Sequence, residues 1–265
     1  IGVAKFQKKT GIVSVMGDDD VHDLAKHFLK KHGVSTAHVV GKPGLRSSAA
    51  TVVSYKGEST QFVDHVDVEY RLPDSVKHAE WVHVSELGDG YVKVFKDAIA
   101  AKKSHGTKIS FNPGAVQLHG KKTALFELLR VTDILFLNMQ EARTLLSVTN
   151  GDSIHGIMAG LRHLGPEYVV VTDGKQGAYA FNGESLAFAP MFPGKRVEAT
   201  GAGDAFSSGF LGAILRGKSH VDALRYGSVN AASVVGFVGP TLGLLTYSEL
   251  TKALNAHKTY RTKIL

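Results

Sequence analysis

Cysteine is absent from the 265 residues, which excludes disulfides, thiolate metal sites and cysteine nucleophiles and fits a reducing cytoplasm. Long apolar runs are absent too. Residues 134–137 and 168–171 are typical of the longest, far short of the ~20 needed to cross a bilayer, and no signal peptide opens the chain, so membrane insertion and export are not expected. Proline occurs only 7 times, and no repeat or low-complexity tract is visible. Basic residues form no continuous patch. They cluster mildly at Lys8 and Lys9, at Lys102 and Lys103, and over 252–263, without the interleaved aromatics of a single-strand platform, so no nucleic-acid partner is expected. Of the 13 histidines, His22, His27 and His32 recur at a spacing that turns around a helix, and no H-E-x-x-H occurs, which argues against zinc.

What is present is a large apolar fraction, 43%, and a net charge of +7. The first suits a sizeable core in one large domain with or without an appendage. The second either keeps the protein soluble or steers phosphorylated ligands toward it. Residue 1 is Ile, and residues 1–8 read as the tail of an amphipathic helix, so a segment is expected to precede them.

Short apolar runs at 12–16, 37–41, 81–85, 108–111, 134–137 and 168–172 alternate with helical patterns, which gives an α/β chain with a mainly parallel sheet covered on both faces. Helices over 21–32, 90–105 and 153–164 each close on glycine, at Gly33, Gly106 and Gly165. Two β-rich runs, 49–56 and 59–65, meet at Gly57 and Glu58 with no helix between them and read as a hairpin. It is an edge addition or a small lid over a ligand cleft. A second antiparallel pair, 178–181 and 185–189, turns at Asn182 and Gly183, and helices follow over 205–216, 221–237 and 247–257.

The densest chemical signal is Thr200-Gly201-Ala202-Gly203-Asp204 ahead of a small-residue helix. Small residues at a helix start leave N–H groups uncovered at the positive end of the dipole, a site for phosphate oxygens. Asp204 in the first turn can accept a proton from an attacking hydroxyl or act as an ordinary helix cap. A rival motif, Gly212 to Ser219, fits G-x-x-x-x-G-K-S, the phosphate loop of nucleotide hydrolases. That loop needs a strand before it, whereas Phe206, Phe210 and Ile214 repeat at helical spacing. Gly217 then reads as a helix C-cap and Ser219 as the next N-cap.

The segment from Glu198 to Phe206 resembles the D-T-x-G-A-G-D-x-F signature of the ribokinase (PfkB) family. Val15-Met16-Gly17-Asp18-Asp19 is similar to that family's V-G-D-D turn, Asn138-Met139-Gln140-Glu141 to its N-x-x-E motif, and Val171-Thr172-Asp173-Gly174-Lys175-Gln176-Gly177 to its V-T-x-G-x-x-G loop. The matches occur in family order across nearly the whole chain.

The resemblance implies a three-layer ribokinase-like kinase domain over 1–41 and 71–265 with a β lid over 42–70. It implies ATP-dependent phosphorylation of a primary hydroxyl on a sugar or nucleoside. In that reading Asp204 is the catalytic base, with Gly201, Ala202 and Gly203 as anion hole. Asn138 and Glu141 organise Mg²⁺ and the phosphates, Thr172, Gly174 and Gly177 line the nucleotide, and Asn230 sits near base or ribose. Asn112 lines the acceptor cleft.

Two positions depart from the signature: Glu198 stands for the usual Asp and Ala199 for Thr. Relatives that bind a monovalent cation use the positions of Glu198 and Thr200, so potassium is a further candidate cofactor. The family's first strand, with its substrate-binding Asp and Gly-Gly and Asn motif, has no counterpart here, so the acceptor is not readable. The lid is also a candidate homodimer surface. A kinase-like regulator that binds without turnover is the alternative from another class.

Overall fold

The structure, a computed structural model, describes residues 1–7, 9–55, 58–149 and 151–265. Lys8 and the Gly57 end of the predicted hairpin turn lie outside the described residues. The chain packs as two compact units, unit 1 comprising Ile1–Val66, Gly174–Ala178 and Phe188–Lys263, and unit 2 comprising Asp67–Asp173, Tyr179–Ala187 and Ile264–Leu265.

Unit 1 opens with a single 3-10 turn, Val3–Lys5, where the sequence reads as a helix tail. β1 (Thr10–Gly17) and β2 (Val34–Lys42) pair in parallel with α1 (Asp20–Lys31) connecting them. Asp19 caps α1 by accepting the His22 N–H at 3.0 Å, and the same carboxylate accepts Ser47 N–H and Ser47 Oγ–H, each at 2.7 Å. One side chain thereby starts a helix and fastens the root of the next segment. β3 (Ala49–Tyr55) and β4 (Glu58–Asp64) follow as an antiparallel pair that shares no strand with the other sheets, and β3 is exposed along its length.

In unit 2 the chain alternates: β5 (Trp81–Val84), α2 (Val92–His105), β6 (Lys108–Phe111), α3 (Ala115–His119), α4 (Lys122–Leu129), β7 (Ile134–Asn138), α5 (Met139–Leu146), α6 (Ile154–His163) and β8 (Tyr168–Thr172). β5, β6, β7 and β8 are parallel neighbours. Ile134 to Leu137 and Val169 to Val171 are buried without alternation, as strands covered on both faces must be. β9 (Ala178–Phe181) and β10 (Leu186–Ala189) come next. The chain then returns to unit 1 as α7 (Ala202–Leu215), α8 (His220–Val234) and α9 (Tyr247–Ala256), before a short last strand, β11 (Lys263–Ile264). The seven-stranded sheet runs β11-β10-β9-β8-β7-β6-β5.

One expectation changes. β1 and β2 were expected in the main parallel sheet, but they form a two-stranded sheet by themselves. Their burial explains it: β1 has intermediate and exposed positions up to its buried last residue, Gly17, unlike the continuous burial of β7. The glycines predicted to close helices do so, with φ of 75° at Gly33, 70° at Gly106 and 126° at Gly165, values that favour a residue without Cβ. The phosphate-loop motif is not preceded by a strand. Its glycines sit on α7 and just after it, Gly217 has φ 74°, and Ser219 caps α8 by accepting the Asp222 N–H at 3.1 Å.

α7 carries the densest motif, and its buried face rests on Phe206 and Phe210. Phe210 is fully enclosed, so Phe210→Ala should lower the unfolding free energy by about 3–5 kcal/mol in urea titration, the usual cost of removing a buried phenyl group. A loss below about 1 kcal/mol would show that α7 is not anchored through this ring.

Candidate active site

In unit 1, α7 begins on a left-handed residue, Gly201, with φ 78°. A Cβ there would stand 2.6 Å from Pro240 Cα, so glycine is required both by backbone conformation and by the chain packed on it. Beyond it, Gly203 and Asp204 are exposed while Ala205 and Phe206 are buried. Nothing lies within 4 Å of the place a Gly203 Cβ would occupy. The Ala202 N–H donates to the Ala199 carbonyl at 3.1 Å and the Ala205 N–H to Gly201 at 2.8 Å. Among the described residues the Gly203 N–H has no carbonyl acceptor, as the first N–H groups of a helix must. The turn therefore presents an N–H at the positive end of α7 and a first-turn carboxylate beside it.

Glu198, two residues before Thr200, is buried, at 7% exposure. Its carboxylate accepts the Thr200 hydroxyl at 2.5 Å and the Gly239 N–H at 2.8 Å. These bonds, the Thr200 one foremost, hold its pKa below the ordinary value of 4.5 because they favour the charged form. The carboxylate thus ties the segment leading into Gly201 to the loop that carries Pro240. Gly177, which the resemblance assigns to the nucleotide, has φ 119°, and a Cβ there would collide with the Ala189 carbonyl oxygen. Its lack of a side chain is fully accounted for by that approach. Gly174, with φ 51°, faces open space.

Asn230 is fully buried on α8, where its amide is engaged by the Ala205 carbonyl and the Leu245 N–H.

In unit 2 the C-terminal ends of parallel strands form a crest, where α/β sheets bind ligands. Asn112 follows β6; its Nδ2 donates to the Phe136 carbonyl at 3.2 Å. Asn138 ends β7 and caps α5 reciprocally with Glu141: the Glu141 N–H donates to Asn138 Oδ1 at 2.9 Å, and Glu141 Oε2 accepts the Asn138 N–H at 2.8 Å. This capping box fixes the Glu141 carboxylate at the start of α5. Thr172 ends β8 and is half-buried. The sequence reading passed over Glu86, two residues past β5, which leans over Gly114 so closely that a Cβ at Gly114 would overlap its side chain. The signal was an acid just beyond the end of a parallel strand. No group of three or more His, Asp or Glu that could hold a metal occurs among the described residues.

Comparison with known proteins then decides the family, because the description "pfkB family carbohydrate kinase" matches residues 1–246. The chain belongs to the PfkB family of carbohydrate kinases. It is a phosphotransferase with an alcohol group as acceptor. Among its PfkB-type relatives are a nucleoside kinase of Methanothermobacter thermautotrophicus, 28% identical over 97% of this chain and 82% of the relative, and a ribokinase of Haemophilus influenzae, 23% identical over 96% and 84%. Among solved structures, one described as a ribokinase II of E. coli in complex with ATP and Mg²⁺ superposes with a TM-score of 0.83, at 24% identity over 97% of this chain and 86% of that one. The ribokinase-like α/β fold follows.

The Glu198 bonds give a signed prediction. With its folded pKa depressed, the stability it contributes is complete above pH 4.5 and is lost as pH falls through the lower folded value. Glu198→Gln should therefore flatten that acid limb of a Tm-against-pH profile. An unchanged acid limb would remove Glu198 from the hold on the Gly239 loop.

Proposed function

We propose that this PfkB-family chain transfers the γ-phosphoryl group of ATP to a primary hydroxyl of a sugar or nucleoside, with Asp204 as general base. The observation that carries the reading is the α7 turn: an exposed carboxylate and the Gly203 N–H stand together at a helix N-terminus whose following residues are buried. A carboxylate so placed takes the proton of the acceptor hydroxyl as its oxygen bonds to phosphorus and the bond to ADP breaks. Gly203, with Gly201 shaping the turn, supplies backbone donation to charge developing on the phosphoryl oxygens. Ala202 contributes through its helical position, its own N–H being committed to Ala199.

On the crest of unit 2, Glu141 and Asn138 are assigned to Mg²⁺ and its waters. The metal supplies charge neutralisation on the polyphosphate. Thr172 and Gly174 are assigned to the nucleotide, and Asn112 and Glu86 to acceptor hydroxyls, for which a carboxylate is a good acceptor. The nucleoside kinase and ribokinase relatives support a ribose-like acceptor, free or in a nucleoside. Glu198 and Thr200 are assigned to holding the turn. Both Glu198 oxygens already receive protein hydrogens, so the mechanism routes no step through potassium.

The β3–β4 hairpin is assigned as a lid that excludes water from the reaction. Its exposed Val53, Phe62 and Val63 favour a second copy of the chain as partner, since a cluster of exposed apolar side chains marks an interaction surface.

The test is ADP release by the full chain with Mg²⁺ and ATP against ribose, adenosine, inosine, fructose and fructose 6-phosphate, each product checked by mass. One acceptor should give metal-dependent ADP and its phosphate ester, and Glu141→Gln should raise the Mg²⁺ concentration required. ATP consumption that is equal with and without every acceptor would overturn the kinase reading, and an unaltered Mg²⁺ requirement would remove Glu141 from the site.

A further inference from the structure

Asn230 is enclosed at 0% exposure and spends its amide within unit 1. Nδ2 donates to the Ala205 carbonyl at 2.8 Å and reaches Ser208 Oγ at 3.5 Å, while Oδ1 accepts the Leu245 N–H at 3.0 Å. Those partners are not scattered. Ala205 follows Asp204 directly in the first turn of α7, Ser208 lies one turn on, and Leu245 ends the loop that runs from α8 past Gly239 and Pro240.

The contact exists because α7 and α8 cross with almost nothing between their backbones. A Cβ on Gly209 would stand 2.9 Å from Asn230 Cβ and 3.0 Å from the Tyr226 carbonyl, and one on Gly227 would stand 2.9 Å from the Phe206 carbonyl. At that separation a side chain of asparagine length spans from α8 to the backbone of α7. Glu198 fastens the same loop at Gly239, and Pro240 presses on Gly201. The motif turn is thus gripped from before by Glu198 and from behind by Asn230, through one loop.

We infer that Asn230 is a positioning residue for phosphoryl transfer: it joins the Ala205 carbonyl to the Leu245 N–H and so sets the direction of the first turn of α7, with the Asp204 carboxylate and the Gly203 N–H on it. The inference rests on the reading of Asp204 as base. Catalytic geometry is sensitive to such a hold, because a displacement of ~1 Å costs on the order of 10²-fold in rate. A carboxamide is needed for it, since one end must donate and the other accept. Aspartate at 230 keeps the acceptor for Leu245 and turns a second acceptor toward the Ala205 carbonyl.

Asn230→Ala and the nearly isosteric Asn230→Asp, alone and combined with Asp204→Asn, test it in the full chain. Two readouts are needed: amide hydrogen exchange, and steady-state ADP release with Mg²⁺, ATP and the most active acceptor of the sugar and nucleoside panel. Both Asn230 variants should speed exchange at residues 205–208 and 245 and leave β5 to β8 protected as in the parent. They should lower kcat by roughly 10–10²-fold with little change in the KM for ATP, and should add no further loss in the Asp204→Asn background, since the effect passes through Asp204. Normal exchange over 205–208, or losses that multiply in the double variants, would overturn the inference. Should Asp204→Asn alone turn over like the parent, the base reading falls, and with it the transmission through Asp204; the exchange data then still judge whether Asn230 holds the turn.

Discussion

The buried carboxylate of Glu198, receiving the Thr200 hydroxyl and the Gly239 N–H, is the interaction on which the site depends. Helix starts are common, but most are covered by a capping side chain. Here the N-cap is Gly201, which has no side chain to offer, so the Gly203 N–H stays available only if something else keeps the turn in its left-handed conformation. Glu198 does this from a distance by holding the loop whose Pro240 packs on Gly201. The cost of burying a carboxylate is offset by two donors that also keep it ionised.

Unit 2 solves the opposite problem. Its crest must present polar groups in fixed places above a sheet whose central strands, β7 and β8, are buried and apolar over Ile134 to Leu137 and Val169 to Val171. The capping box between Asn138 and Glu141 satisfies the start of α5 and aims a carboxylate in one operation. Gln117 does similar service beneath Glu86: its Oε1 accepts the Gly114 N–H at 3.0 Å, and its Nε2 donates to the Leu87 carbonyl at 2.5 Å, linking the loops after β5 and β6. A polar residue that satisfies a loop and fixes a neighbour is the recurring device in both units.

The central strands were legible because burial on both faces writes an unbroken apolar run, as in 134–137 and 168–171. The glycine closures were legible because positive φ favours that residue. The separation of β1 and β2 from the main sheet was not legible, since the partner of a parallel strand lies far away in sequence. α3 and α4 were passed over because five and eight residues are too short for a helical period to stand out. Asn230 was assigned to the nucleotide by resemblance, yet Tyr226, Gly227 and Val234, at helical spacing around it, are buried, a pattern that marks its face as core. Asp204 and its glycines were legible from the motif, while the roles of Glu198 and Pro240 depend on a loop some forty residues on.

The most direct measurement is the turnover of Asp204→Asn with Mg²⁺, ATP and the active acceptor, alongside its affinity for ATP. Asparagine preserves the shape of the turn and removes only the proton acceptor. The account predicts a kcat lower by about 10²–10⁴-fold, the usual worth of general-base catalysis, with ATP affinity and melting temperature close to the parent. Turnover within a few-fold of the parent would make Asp204 a helix-start residue and contradict the mechanism.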